Sequence, residues 1–216
     1  MESREDEGKG GRFDRERTRL AILAAAYEEF VENGLSGARV DAIAARTGSA
    51  KRMIYYYFGS KEGLYLAVLE QAYTEIREAE RKLDLLHLDP VEAIKRMISF
   101  TFDYHDAHPG FSRLVSIENI HKGSYMANSK PIQALNRTVI DTLTAILEKG
   151  RTEGVFRSDI DPVDVHMLIS AFCFFRVSNR YTFGRLFDRD LADMKLRETH
   201  KDLICEAVLR SLKPSQ

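Results

Sequence analysis

Apolar residues three and four apart recur along nearly the whole chain, in blocks cut by glycine and proline, and that rhythm leaves room for little except helices. Ile22/Leu23, Ala26/Tyr27 and Phe30/Val31 follow one another at four-residue spacing until Asn33-Gly34 supplies a stop. Val91, Ile94, Ile98 and Phe102 share one face of a later block, and Ile132, Leu135, Val139, Leu143, Ile146 and Leu147 share one face of another. Asp89-Pro90 and Asp161-Pro162 each pair an N-cap residue with proline at the first helical position. No stretch alternates as a strand would. The expectation is an all-α chain of about nine helices.

The remaining composition narrows the class. Apolar residues make up 44% and charged residues 30% of 216, with a formal net charge of −1. That is ordinary for a soluble domain and excludes a chain that is basic throughout. Cys173 and Cys205 are too few for a disulfide framework or a cysteine-rich zinc site, and a reducing cytoplasm suits them. The longest apolar run, around 167–175, ends at Arg176 and is too short to span a bilayer. The polar N-terminus lacks a signal peptide's apolar core. Residues 1–11, with Gly8, Gly10 and Gly11, are expected to be a disordered arm.

The segment Val40–Phe58, VDAIAARTGSAKRMIYYYF, carries the functional signal. Short helices over about 40–47 and 50–56 are joined by a turn at Gly48, the layout in which one helix braces another in the DNA major groove. Ala44 and Ala45 permit close approach, and Ile43, Ile54 and Phe58 can form the small core. Ser60 is placed to cap a longer helix over about 61–83. From Arg39 to Lys61 there are five cations, Arg39, Arg46, Lys51, Arg52 and Lys61, against the single acid Asp41. Tyr55, Tyr56 and Tyr57 add hydroxyl groups for phosphate oxygens. Phosphate contacts give affinity and register, and Lys51 or Arg52 at the helix start can reach guanine O6/N7.

Residues 19–64 resemble the N-terminal domain of the tetracycline-repressor (TetR) family. The likeness lies in the run Ile22–Phe30, Gly34, the IAxxTG of Ile43–Gly48 and, most specifically, the YYYFxSKExL of Tyr55–Leu64. The resemblance implies a dimeric DNA-binding transcriptional regulator, most often a repressor that a small molecule releases from a palindromic operator. It places Arg39 at the start of the second helix, Ala50, Lys51, Arg52, Met53 and Tyr55 on the recognition helix, and Tyr57 and Lys61 against phosphates. Family members often carry Thr or Ser where Ala38 and Arg39 stand, which puts the usual helix cap in question. Arg52 stands where glycine is common, so base preference is not inherited.

The expected division is therefore a helix-turn-helix domain over 12–60 and a ligand-binding and dimerisation domain over 61–216. The last two helices, about 162–183 and 190–212, would form the homodimer interface, with Phe172, Phe175, Val208 and Leu212 as its apolar surface. The first of them is apolar nearly all round, the pattern of a helix buried on every side. Effector candidates are Phe102, His105, Phe111, Glu118, His121, Tyr125, Phe172, Arg176 and Asn179. Arg176 interrupts an apolar helix and, if buried, needs a partner. Glu118 is the internal candidate, and an aromatic or acyl acid is the external one. The expected partners are operator DNA, an effector and a second copy, with no membrane, and the expected compartment is the cytoplasm. The rivals are a helical metal enzyme and a helical interaction protein without DNA contact. Glu118-x-x-His121 is one metal-ligand spacing where a di-iron bundle needs two, and no nucleotide or hydrolase motif is present, so neither enzyme activity nor a cofactor is expected.

Overall fold

The structure, a computed structural model, describes residues 3–127 and 129–214. Ten α-helices and one 3-10 turn make up the regular structure of the described residues: α1 Ser3–Gly37, α2 Val40–Thr47, α3 Lys51–Phe58, α4 Lys61–Arg81, the turn Leu85–His87, α5 Pro90–Ala107, α6 Pro109–Ile120, α7 Lys130–Thr152, α8 Pro162–Ser178, α9 Arg180–Phe187 and α10 Met194–Leu212. The chain forms two compact units. One holds residues 1–72 and 114–129, and the other holds 73–113 and 130–216. The division expected at 60/61 thus differs from these units, whose boundaries fall inside α4 and α6.

In the first unit, Ile22, Ala26 and Phe30 of α1, Ile43 of α2, Ile54 of α3 and Leu64, Tyr65 and Val68 of α4 form a closed core. Each buried Ile, Leu, Val or Phe side chain there contributes about 1.5–3 kcal/mol. Phe58, expected beneath the same core, is half-buried. The rings of Phe30 and Tyr65 meet edge-on at 5.2 Å. Gly34 leaves the helical conformation at φ 66° and ψ 174°, which breaks α1 where the sequence marks a stop. The N-terminal arm differs from expectation: the backbone is helical from Ser3 onward, and residues 1 and 2 lie outside the described residues. Extending a formed helix needs no new nucleus, which offsets part of the cost of the three glycines.

In the second unit, α5, α7, α8 and α10 pack around Ile94, Met97, Ile98, Phe102, Leu143, Ile146, Ile169, Cys173, Ile204 and Val208. Asp89 accepts the N–H groups of Val91 and Glu92, and Asp161 accepts that of Val163, so both proline-led helices start as their sequences dictate. The terminal helices need correction. Residues 162–187 form two helices, not one, because Asn179 leaves helical geometry between α8 and α9. Nor is α8 buried on every side of this chain: Val163, Met167, Phe172 and Phe175 are exposed, with Met167 at 62%. Val208 and Leu212, expected at a dimer surface, are instead enclosed in the chain's own core. Leu203, at 59% exposure, and Met194 occupy the outward face of α10.

Candidate nucleic-acid interface and effector region

The turn between α2 and α3 is built on Gly48, which caps α2 at φ 63°, a conformation that costs a Cβ-bearing residue energy. Arg39 precedes α2 in an extended conformation and offers no side-chain cap. The cap comes instead from α1. The buried Glu29 carboxylate accepts the Arg39 N–H at 3.1 Å through Oε1, and its Oε2 lies 3.3 Å from the Arg46 guanidinium. Glu32 adds a second carboxylate at 3.6 Å from Arg46. A charge-assisted bond to the residue just before α2 thus sets the angle at which α2 leaves α1.

Helix α3 starts at Ala50 without a side-chain cap and without an acid in its first turn, so its positive end stays uncompensated by its own sequence. Helical spacing divides its residues. Ile54 is buried and Met53, Tyr57 and Phe58 are half-buried, whereas Lys51, Arg52, Tyr55 and Tyr56 are exposed, Tyr56 at 71%. Ala50 is exposed and small, which allows a duplex to approach the helix start closely. The outward face therefore offers two cations and two phenols over two turns.

Three of the five cations counted in the sequence have acidic or carbonyl partners. Arg46 is held by Glu29 and Glu32. The Lys51 ammonium pairs with the Asp41 carboxylate, both side chains being about half exposed. Lys61 is half-buried, and its ammonium donates to the Ala38 carbonyl at 3.1 Å and the Ser36 carbonyl at 3.5 Å. Lys61 thus fastens the link between α1 and α2, a different placement from the phosphate-facing one expected. Tyr57 also differs from expectation: its hydroxyl is enclosed and has no hydrogen-bond partner. Its ring lies on the inner side of α3, edge-on to Tyr56 at 5.4 Å and beside Phe58. Arg39 and Arg52 are exposed.

The nine effector candidates are divided between the two units. Glu118, His121 and Tyr125 belong to the first unit. There Glu118 is buried and its Oε1 accepts the N–H groups of Tyr125 and Met126 at 2.9 and 3.0 Å, which closes the turn after α6. The His121 ring meets Tyr125 edge-on. In the second unit, Phe102 is core and Phe111 packs edge-on against Tyr73. His105 is buried with Nδ1 2.8 Å from Ser112 Oγ. Burial, then the nearby Arg77 and His108, push its pKa down to about 4, so it is neutral at pH 7. Asn179 is half-buried at the α8–α9 junction and bonds Ser178 Oγ. Phe172 and Arg176 line a groove of about 180 Å³ with Phe175, Phe183, Leu203 and Ile204.

Arg176 is buried, and its partner is Asp106 of α5, not Glu118: Nη1 meets Asp106 Oδ1 at 2.5 Å and Nη2 donates to the Leu191 carbonyl at 2.5 Å. Arg197 of α10 takes the other Asp106 oxygen at 2.7 Å and also pairs with Asp103, which Lys201 reaches at 2.9 Å. The Arg176 guanidinium lies 4.7 Å from the Phe102 ring centre, a cation–π contact. The sequence reading missed Asp106 and Glu29 because each looks like an ordinary charge on an amphipathic helix. Their spacing from their partners, 70 and 10 residues, carries no local signal. Among the described residues no three His, Cys, Asp or Glu side chains converge to hold a metal ion. No helix of the described residues is long and apolar enough to cross a membrane.

Residues 22–68 match the model of bacterial regulatory proteins of the tetR family, and residues 90–208 match that of the tetracyclin repressor-like C-terminal domain. The chain is 37% identical over 198 residues to the HTH-type transcriptional repressor NicS of Pseudomonas putida, covering 92% of this chain and 93% of that one. It is 33% identical over 160 residues to the HTH-type transcriptional repressor SCO4008 of Streptomyces coelicolor, covering 73% and 77% of the two chains. Its fold superposes on that of FadR from Bacillus subtilis, solved in complex with stearoyl-CoA, with a TM-score of 0.68 at 19% identity over 90% of this chain and 99% of that one.

Proposed function

This chain belongs to the TetR family of bacterial transcriptional regulators, and from that premise we propose that it is a homodimeric repressor whose α3 helices read a palindromic operator and whose grip a small molecule loosens. The observation that carries the reading is the outward face of α3, where Lys51, Arg52, Tyr55 and Tyr56 stand exposed on a helix braced by α2 and held by a closed core. In the major groove, Arg52 is the residue for bidentate contact with guanine, and the exposed phenols and Arg39 serve the phosphates.

The homodimer is supported by the apolar faces that α8 and α10 leave uncovered, Val163, Met167, Phe172 and Phe175 on one and Met194 and Leu203 on the other. An apolar surface of that extent is uncommon on a monomer. A twofold axis would pair like with like and present two α3 helices to half-sites about 34 Å apart. Release would be a population shift, in which the effector binds better to the conformer whose two α3 helices do not fit both half-sites together. A repressor of chromosomal genes works in the cytoplasm, and nothing in its chemistry calls for a catalytic site.

Selection of bound fragments from random duplex DNA at low ionic strength tests the reading. A palindromic consensus is expected. The double change Lys51→Ala with Arg52→Ala should abolish selection while the protein stays folded and dimeric. Failure of the wild-type chain to retain any duplex refutes the proposal.

A further inference from the structure

Near the end of α4, a cleft of about 180 Å³ opens between Arg77 and Glu80 on that helix, Leu85 after it, and Thr138, Val139 and Thr142 on α7; the exposed Arg81, Asp84 and Leu86 complete its lining. Arg77 is only 6% exposed. One of its nitrogens, Nη1, is held by Glu80 Oε2 at 2.5 Å, and Glu80 is itself almost enclosed. The Arg77 Nε is buried and has no hydrogen-bond partner. A guanidinium keeps its charge under any burial, so an enclosed N–H without an acceptor is a standing cost.

The cleft is formally balanced, Arg77 and Arg81 against Glu80 and Asp84, but the counter-charge held against Arg77 is weakened by burial. Burial, more strongly than Arg77 can oppose, raises the Glu80 pKa, so the one carboxylate paired with Arg77 is a reluctant counter-charge. The positive charge also reaches beyond the cleft: Arg77 is the second cause, after burial, that lowers both His105 and His166 to about 4. A planar carboxylate matches the two-nitrogen edge of a guanidinium, and a shift of the lining that opens the enclosed Nε–H would give it the acceptor that no protein atom supplies. The walls supplied by Leu85 and Val139 are apolar and suit a hydrocarbon body. The volume lies below the ~300–1,000 Å³ of sites for drug-sized ligands, which selects a compact acid over a long acyl chain or a polycyclic one.

We infer that this cleft is the effector site, that the effector is a small organic monocarboxylate, and that Arg77 is the residue that binds its carboxylate. The inference rests on the ligand-released repressor reading for its regulatory meaning, though not for the binding itself. An acid seated between α4 and α7 fastens the end of α4 to the body. The same helix begins at Lys61, whose ammonium holds the α1–α2 link, so the effector acts on an element that also orders the DNA-reading unit. The carboxylate displaces no covalent bond and needs no metal.

Isothermal calorimetry on the full chain tests it, using benzoate and hexanoate beside their neutral isosteres benzamide and hexanamide. At least one acid should bind ten-fold or more tightly than its amide. The preference should vanish in Arg77→Met combined with Glu80→Gln, which removes the buried pair without orphaning either charge. Thr138→Phe, an exposed position on the cleft wall, should weaken binding while leaving the pair in place. Equal binding of acids and amides, no binding of either acid, or a preference that survives the Arg77 change overturns the inference. Binding of the selected duplex, measured on the same preparations, separates the two proposals. Acids that bind a protein blind to DNA leave the cleft standing and remove the repressor reading; a protein that holds its duplex yet shows no acid preference loses the cleft alone. Where both hold, an acid should weaken the duplex by the factor by which the duplex weakens the acid.

Discussion

Asp41 is the one acid among the five cations of Arg39–Lys61, and it holds Lys51, so under the proposed reading removing its charge should tighten DNA binding. Asp41→Asn releases the Lys51 ammonium at the start of α3. One freed cation per head, two per dimer, should steepen the slope of log affinity against log salt by about 2, since each phosphate neutralised contributes about 0.9. Over a fourfold rise from ~50 to ~200 mM salt this amounts to roughly a further tenfold loss, so the variant binds more tightly at low salt and converges on wild type at high salt. The cost to the fold is small. Both side chains are half exposed, where an ion pair is worth about 0–1 kcal/mol. Loss of a carboxylate from the first turn of α2 costs about 0.3–1 kcal/mol more. Fluorescence anisotropy of the labelled selected duplex across a salt series gives the slope, and Lys51→Ala in the same background should cancel the gain. An unchanged slope refutes the claim that Asp41 withholds Lys51 from the duplex.

Other consequences concern the body. Asp106→Ala leaves Arg176 buried with only the Leu191 carbonyl and should cost about 3 kcal/mol, whereas adding Arg176→Met should recover much of it; chemical denaturation gives both values, and a single-variant loss under ~1 kcal/mol contradicts the pairing. His105 has a folded pKa near 4 against an unfolded value near 6.5, so its contribution is intact above pH 6.5 and is lost as pH falls towards 4. The stability difference between wild type and His105→Gln should therefore shrink between pH 7 and pH 5, and a constant difference would show that His105 is free to protonate in the fold. Phe175→Lys with Leu203→Lys should yield a folded monomer by light scattering with operator affinity down at least a hundredfold, and a dimer that survives both charges would move the interface elsewhere.

The sequence predicted helix type and most helix ends well because caps and stops are local. Asp89, Asp161 and Ser60 each accept an N–H two or three residues on, so a short window contains the whole cause. It misjudged what depends on partners distant in the chain. Val208 and Leu212 looked like surface to be covered by a second copy, yet both are enclosed in the chain's own core, where α10 packs against α5 and α8, because periodicity tells which residues share a face and not what faces them. The helix-turn-helix layout was legible in its spacing. Its charge was not: five cations against one acid became two exposed arginines and a tethered lysine once Glu29, Glu32 and the Ser36 and Ala38 carbonyls were in place.

In the proposed homodimer, that difference bears on how strongly DNA binding depends on having two heads. A single head with few untethered cations neutralises few phosphates, and its affinity is correspondingly modest and salt-sensitive. Joining two heads makes the second contact intramolecular, and the gain disappears when geometry forbids both from engaging at once. An effector then has no need to touch the α3 surface. It has only to favour, by about 1–3 kcal/mol, a state in which the two heads no longer fit their half-sites together, a coupling within reach of one small acid on one buried arginine. A chain that commits its cations to its own fold, as this one does at Arg46 and Lys61, makes the spacing of its heads the quantity worth regulating.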